Sequence, residues 1–514
     1  MYKYLTTPIY YASGTPHLGH AYTTLLANCY RNYHKLNHDN VKLITGTDEH
    51  GQKIERAAAA NDTSPDQFAA ERSREFSELW QALGLNPDAF VRTTDQQHKE
   101  TVLSFWDKLL QSGDIYLGQY SGLYCVGCEQ YFTSGNECPI HLKPLETLSE
   151  ESYFFRLSRY QDQLIKHIET HEDFIVPRER RNEVLSLLQT NKLHDLSVSR
   201  TSTDWGIPVP GDDKHVIYVW IDALVSYLSA LESGTFNDYW ANTTHFIGKD
   251  ILVFHAVYWP ALLLSAGIPL PTSIVVNGWL TVEGRKISKS DPDTIIDPVD
   301  LTNLVSNDGL KYFFLKGISF GLDVNFSKEH LFQLLNADLS NNVGNLVSRF
   351  LSLVSANFNS QIAIVEYQLT VEDQSLLDNV ENSTAGWHEG LAKGQVHLAA
   401  RSFCDLSAAI NTYLQHQEPW ILLKQDDQSD RVKTILLVVH SALVSLSVLG
   451  YPFVPDTVGK IREGLCIQGT PSTEEIGKFR TSIHIQKIEP VFPRLELTSG
   501  DRDQSQLDIQ RNPP

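Results

Sequence analysis

An apolar run, Tyr4–Tyr11, passes through Pro16-His17-Leu18-Gly19-His20 into a helix-like stretch, Ala21–Tyr33. A strand, a glycine-bearing turn and a helix in direct succession confine this part of the chain to an α/β architecture, in which the helix returns the chain to a parallel strand. His17 and His20 stand three residues apart and so share one face of the first helical turn. A helix N-terminus offers N–H groups without intrahelical partners and the positive end of the dipole, which suits a phosphate. Gly19 lets a flat ring such as adenine approach the backbone. Alone, a His-x-x-His pair also serves as a metal pair or arises by accident.

A second segment answers the first. Lys286-Ile287-Ser288-Lys289-Ser290 follows Val282-Glu283-Gly284 and places two ammonium groups and two hydroxyls on a polar loop. Lysines there suit a polyphosphate leaving group that gains negative charge as it departs.

The α/β pattern continues through residue 112, with the strand-like Val41–Thr47 and the helix-like Ala21–His34, Ser64–Leu83 and Asp95–Gln111. Residues 113–199 read as a turn-rich, cysteine-bearing insertion. The α/β pattern resumes over 200–268, with His215–Ala223 and His245–Ala266. A connecting region with the lysine loop spans 269–335. Residues 336–497 are helical in period until Ile483–Ile488, and the polar tail 498–514 is expected to be disordered. The fold class is therefore α/β, a doubly wound Rossmann-like domain with an insertion, followed by an all-α bundle.

At 514 residues the chain is too long for one core. The formal net charge of −20 excludes binding nucleic acid by whole-surface attraction, so an RNA site must be a local basic patch. Arg178-Glu179-Arg180-Arg181 and the surroundings of Arg349 are candidates. Thr434–Val454 lacks charged residues over about a membrane span. His440, several serines, Gly450 and Pro452 make it a buried bundle helix instead. No membrane association and no signal peptide are expected.

Cys125-x-x-Cys128 and Cys138-x-x-His141 form two short knuckles, the donor set of a closed tetrahedral zinc site. With four protein ligands no position stays open, so one structural Zn²⁺ would staple the insertion. The remaining three cysteines give no disulfide framework, which fits a reducing cytoplasm.

Other segments describe a pocket. Asp48, in Thr45-Gly46-Thr47-Asp48-Glu49-His50-Gly51, ends a strand and could pair with a substrate ammonium. If Tyr218–Tyr227 is helical, Trp220, Ala223 and Tyr227 share a face. His245-Phe246-Ile247-Gly248-Lys249-Asp250-Ile251, with Phe254, His255 and Trp259, adds aromatics. An aromatic and aliphatic pocket with one anionic anchor suits an amino acid with a long polarizable side chain. Taken singly, each aromatic reads as core.

The two signature segments in this order resemble the HIGH and KMSKS motifs of class I aminoacyl-tRNA synthetases. With the pocket and the zinc knuckles, the chain resembles the bacterial methionyl-tRNA synthetases of the single-zinc type from Tyr4 to about Glu496. The resemblance implies activation of L-methionine by ATP with Mg²⁺, then transfer to initiator and elongator tRNA(Met). It implies α-phosphate stabilisation by His17 and His20, a grip on the pyrophosphate side by Lys286 and Lys289, and further ATP contacts by Gly19 and, at the nucleotide edge, Lys249 and Asp250. It implies a methionine pocket of Ile9, Tyr11, Asp48, Trp220, Ala223, Leu224, Tyr227, Ile251, Phe254, His255 and Trp259, with Arg200 at the rim. Asn345, Arg349 and Trp420 would meet the anticodon. The C-terminal dimerisation domain of longer members is not seen, which implies a monomer.

Three features depart from the pattern. Ile287 stands where the family usually has Met, the loop continues Asp291-Pro292-Asp293 where Leu-Gly-Asn is common, and the chain's one methionine is Met1. The alternatives are a sister synthetase for leucine, isoleucine, valine or cysteine, and a non-catalytic tRNA-binding paralogue or nucleotidyl transferase of the same fold. The insertion is too short for the editing domain of the first three. Intact histidines and lysines argue against lost chemistry.

Overall fold

The structure, a computed structural model, describes residues 1–125, 130–132, 135–138, 143–282, 285–286, 296–425 and 427–496. It divides into two compact units, residues 1–27 with 41–278, and residues 28–40 with 279–514.

The first unit is built on six strands: β1 (Tyr2–Tyr11), β2 (Asn40–Asp48), β3 (Ala89–Arg92), β4 (Ile175–Val176), β5 (Thr243–Gly248) and β6 (Ser273–Asn277). Their order in the sheet is β3-β2-β1-β5-β6-β4. The pairings β2/β3, β1/β5, β5/β6 and β6/β4 are parallel. β2 and β3 lie on one side of β1 and β5, β6 and β4 on the other, so the order reverses at β1, where a doubly wound sheet opens a crevice at the carboxyl ends of its strands. Gly46 of β2 is dictated by its neighbour: a Cβ there would come within 2.0 Å of the Val91 carbonyl oxygen.

Helix α1 (Leu18–Leu36) follows β1. Thr23 Oγ1 donates to Asn277 Oδ1 at 2.9 Å, tying its start to the end of β6. Helix α2 (Gln96–Gln111) turns Val102, Phe105, Trp106 and Leu109 into the same buried cluster as Ile221, Leu224 and Val225 of α3 (Val219–Ser229).

Residues 113–199 are more regular than expected. Ile115–Cys125 pairs antiparallel with both Gln130–Phe132 and Glu146–Phe155, and Leu196–Ser197 completes four strands. Helices Gln161–Thr170 and Arg178–Thr190 follow the long strands. The basic run is largely occupied within the insertion: Arg180 pairs with Glu183 at 2.6 Å, and Arg181 donates to the Ile168 and Glu169 carbonyls.

The second unit is mostly helical, with α4 (Asn345–Phe358), α5 (Val371–Ala392), α6 (Val396–Gln417) and α7 (Ser429–Gly450). A capping box starts α5, with Thr370 accepting from the Asp373 N–H and Asp373 accepting from that of Thr370. Asp373 also holds Tyr413 and Arg431 of α6 and the start of α7, the latter at 2.9 Å. Helix α7 is apolar all round and is correspondingly buried, as a bundle's central helix must be. Among the described residues it is the one helix long and apolar enough to cross a membrane, and it lies inside the fold. The late strand is short, Ser482–His484, paired antiparallel with Gln361–Ala363.

Candidate active site

The carboxyl ends of β1, β2 and β5 carry the three sets of site residues. His17 immediately precedes α1 and His20 lies in its first turn. Their rings stack with centroids 3.7 Å apart, tilted by 26°. The Gly19 N–H donates to His17 Nδ1 at 3.2 Å, and the His17 N–H donates to His20 Nδ1 at 3.1 Å. Both Nδ1 atoms are therefore acceptors, so in neutral rings the proton sits on Nε2, which leaves each histidine a donor. The His20 ring is further held edge-on by Tyr10 and Phe76, each 5.2 Å away. The structure gives Gly19 a more immediate reason than ligand access: a Cβ there would press on the His17 ring at 3.1 Å.

Asp48 ends β2 and is buried. The loop around it is fastened on both sides. Before it, Thr47 Oγ1 donates to Glu49 Oε1 at 2.8 Å. After it, Glu49, wholly buried, takes a two-point ion pair from Arg92 at 2.8 and 3.0 Å and a bond from Thr94. His50 Nδ1 lies 2.6 Å from Asp222 Oδ2, and His98 Nε2 lies 2.7 Å from Asp222 Oδ1. These two imidazoles hold the Asp222 carboxyl low, at about 2, against the opposing effect of burial.

The aromatic wall comes from α3 and the segment after β5. Trp220 stacks on Phe254 at 3.6 Å, and Tyr11 meets Trp220 edge-on at 6.2 Å. Phe254 and His255 lie in a π-helical turn, Phe254–Tyr258, a helix irregularity frequent at functional sites. Deeper, Tyr227 Oη lies 2.8 Å from His255 Nε2, and His255 Nδ1 lies 3.0 Å from the Ile251 carbonyl. The carbonyl can only accept, so His255 carries its proton on Nδ1 and accepts from Tyr227. Burial keeps this ring neutral, with its pKa pushed down to about 4. Trp259 Nε1 donates to His245 Nε2 at 3.2 Å, and His245 Nδ1 lies 2.6 Å from Thr6 Oγ1. Leu224, Tyr227 and Trp259 belong to the main core cluster, and Ile251 packs against it. Ile9 faces β2, its Cγ2 3.0 Å from where a Gly46 Cβ would stand. Ala223 is buried on α3.

Lys249 and Asp250 form the turn after β5, Lys249 half-buried and Asp250 exposed. Arg200 is buried, donates to Ser197 Oγ at 2.8 Å and the Ser199 carbonyl at 2.7 Å, and lies over the Tyr218 ring at 4.2 Å. With His50, Trp205, Tyr218 and Val219 it lines a small open cleft.

In the second unit, Lys286 lies on a two-residue strand paired with Leu280–Val282. Lys289 lies outside the described residues, as do Cys128 and His141. Cys125 and Cys138 are described and buried, Cys138 in a turn where its N–H donates to the Lys143 carbonyl at 2.8 Å. No group of three or more metal-ligating side chains occurs among the described residues. Asn345 and Arg349 are exposed, four residues apart and so on one face of α4. Trp420 is half-buried in the short helix Pro419–Leu422.

Sequence reasoning passed over Glu49, His50, Arg92, His98 and Asp222. The available signal was Asp222, a carboxylate one residue from Ala223 in an otherwise apolar helix.

Comparison with known proteins places this arrangement. The family model "tRNA synthetases class I (M)" matches residues 3–145 and 135–351, and "Anticodon binding domain of methionyl tRNA ligase" matches 366–485. The methionine–tRNA ligase of Rhizobium meliloti is 39% identical over 509 residues, covering 96% of this chain and 98% of the relative. That of Caldanaerobacter subterraneus is 39% identical over 506 residues, covering 96% and 79%. The solved structure of Mycobacterium tuberculosis methionyl-tRNA synthetase bound by methionyl-adenylate superposes with a TM-score of 0.92 at 35% identity, covering 96% of this chain and 100% of that one.

Proposed function

The chain belongs to the class I methionyl-tRNA synthetases, and on that premise we propose how its own residues divide the work. It is a methionine–tRNA ligase: it joins L-methionine to ATP as methionyl-adenylate and transfers the methionyl group to tRNA. The sister synthetases and the non-catalytic paralogue fall away with that assignment.

One observation carries the division of labour. The stacked His17–His20 pair has both Nδ1 atoms bonded to backbone N–H groups, so two neutral Nε2–H donors sit at the mouth of the crevice beside a helix N-terminus. That is a site for the α-phosphate as it becomes pentacovalent. The methionine carboxylate oxygen attacks the α-phosphorus, and the bond to pyrophosphate breaks. Asp48 holds the α-ammonium. Tyr11, Trp220, Ala223, Leu224, Tyr227, Ile251, Phe254, His255 and Trp259, with Ile9, enclose the side chain, and Arg200 lines the rim. Lys249 and Asp250 edge the nucleotide. The family resemblance gives Lys286 and Lys289 the charge of the departing pyrophosphate, and Mg²⁺, when bound, would neutralise charge on ATP. No protein nucleophile is needed; positioning and charge stabilisation suffice. ATP–pyrophosphate exchange across all twenty amino acids and homocysteine, followed by charging of tRNA with a CAU anticodon, tests the reading. Exchange driven best by another amino acid would overturn it.

Residues 1–112 and 200–268 then form the catalytic domain, 113–199 its insertion, 269–335 the lysine-loop connector and 336–497 the anticodon-binding domain, on a monomer in the cytoplasm. Two further assignments have direct tests. Cys125, Cys128, Cys138 and His141 would hold one Zn²⁺ that staples the insertion; the two described thiols are buried, as closed structural sites require. Metal analysis should return one zinc per chain, lost in Cys125→Ser; a zinc-free native protein refutes the site. Trp420 stacks on an anticodon base, with Asn345 and Arg349 at base edges. Trp420→Ala should raise the KM for tRNA about tenfold and spare exchange, and equal losses in both assays would make Trp420 structural.

A further inference from the structure

The His50–Asp222–His98 array has no part in the division of labour above, yet it joins two elements that frame the amino-acid pocket, the Asp48 loop and α3, to α2 behind them. His50 lies two residues after Asp48 on the loop closing β2, Asp222 is on α3, and His98 is on α2. All three are at least 97% buried. The Asp222 carboxylate accepts from His50 Nδ1 at 2.6 Å and from His98 Nε2 at 2.7 Å. His98 Nδ1 is in turn 2.8 Å from Ser229 Oγ at the end of α3, and Ser229 Oγ lies 3.2 Å from the Ser226 carbonyl. The three-residue array thus grips α3 at two points about two turns apart.

Helical geometry fixes which way that grip acts. At about 100° per residue, Trp220, Ala223, Leu224 and Tyr227 fall within one side of α3, and Asp222 falls on the opposite side. The carboxylate therefore holds the helix from behind while its front presents the side-chain wall. The same carboxylate holds the loop whose next-but-one residue is the ammonium anchor. A buried carboxylate bonded through both oxygens is costly to form without both partners, so its geometry is narrowly set.

We propose that His50–Asp222–His98 is a positioning clamp that sets the distance between the ammonium anchor, Asp48, and the thioether wall on α3, and so sets how strongly the enzyme couples recognition of the two ends of methionine. The proposal rests on the methionine reading of this site. In this reading the three residues act through Asp48 and the α3 wall rather than by substrate contact.

The test uses two probes on the full chain, read by quenching of tryptophan fluorescence. L-Methioninol has both the ammonium and the thioether; 4-(methylthio)butan-1-ol lacks the ammonium. Their affinity ratio measures the coupling of the two ends. In Asp222→Asn and His98→Ala the ratio should fall at least tenfold, and the KM for methionine in exchange should rise about as much while the KM for ATP stays within twofold. His98→Gln places an amide N–H near the position of Nε2–H and should restore the ratio. A merely structural role would weaken both probes together and move both KM values, and an unchanged ratio would overturn the proposal. If Asp222→Asn does not fold, the His98→Ala and His98→Gln pair decides alone. A wild-type chain that binds neither probe would refute the methionine reading rather than the clamp.

Discussion

Histidines carry much of this site, half-buried at His17 and His20 and fully buried at His255, and their environments assign them unlike roles. His17 and His20 are turned by backbone donors into Nε2–H donors, whereas His255 is turned by the Ile251 carbonyl and the Tyr227 hydroxyl into a neutral acceptor. The sequence singles out all three because each sits in a segment with a local signature. It gave no proton positions, since those depend on which backbone group faces which nitrogen. A pH dependence follows from burial. His255 titrates at about 4 in the fold and near 6.5 once unfolded, and burial also pushes His245 well down. Between pH 6.5 and 4 the unfolded chain binds protons that the native chain refuses, so stability falls as pH drops, by roughly 1.4 kcal/mol per pH unit for each such histidine. Below pH 4, Asp222, held at about 2, adds to the loss as its carboxylate is titrated. Urea midpoints measured from pH 7 to 4.5 should decline steadily, and His255→Gln should make the decline shallower; a flat profile would mean these rings are charged in the fold.

At the scale of elements, legibility followed sequence separation. The strand–turn–helix start, β2 and the apolar α7 were readable because their evidence is periodic and local. The fastening of the Asp48 loop was not. Glu49 is ordinary in sequence and finds Arg92 43 residues away, while Asp222 finds His98 at a separation of 124 and His50 at 172. The insertion's long antiparallel strands were likewise missed, since Ile115–Cys125 and Glu146–Phe155 are rich in Gly, Ser, Glu and Thr and show only a weak alternation. The loop offers a direct measurement. Arg92→Ala leaves the wholly buried Glu49 carboxylate without its ion-pair partner. Because Arg92 is itself about one-third exposed, the loss should fall below the 3–5 kcal/mol of a fully buried pair, at about 2 kcal/mol. Chemical denaturation would measure it. The KM for methionine should rise as well, since Glu49 adjoins Asp48; a change in stability without a change in KM would separate the ion pair from the site.

For the whole molecule, the informative feature is a residue that is missing. Apart from Met1 the 514-residue chain contains no methionine, although the enzyme makes methionyl-tRNA. The core is filled instead by Leu, Ile, Val and aromatics, for example Leu262, Leu263, Phe453 and Val454, all buried. Volume-conserving exchanges of this kind cost a core little, so packing does not forbid methionine here. The physical consequence lies in synthesis. Each internal methionine codon in an ordinary message waits for charged elongator tRNA, the product of this enzyme, and a shortage of product would slow replacement of the catalyst that relieves it. Elongation from residue 2 to residue 514 draws on that product nowhere and is insensitive to the shortage. In a reconstituted translation system with charged initiator supplied and elongator methionyl-tRNA made limiting, full-length yield of this chain should stay within about twofold of the unlimited yield. A variant carrying methionine at Leu262, Leu263, Ile287 and Val454 should fall with the elongator supply. Equal declines in the two chains would show that internal codons do not govern the yield, and the absence of methionine would then have no bearing on supply.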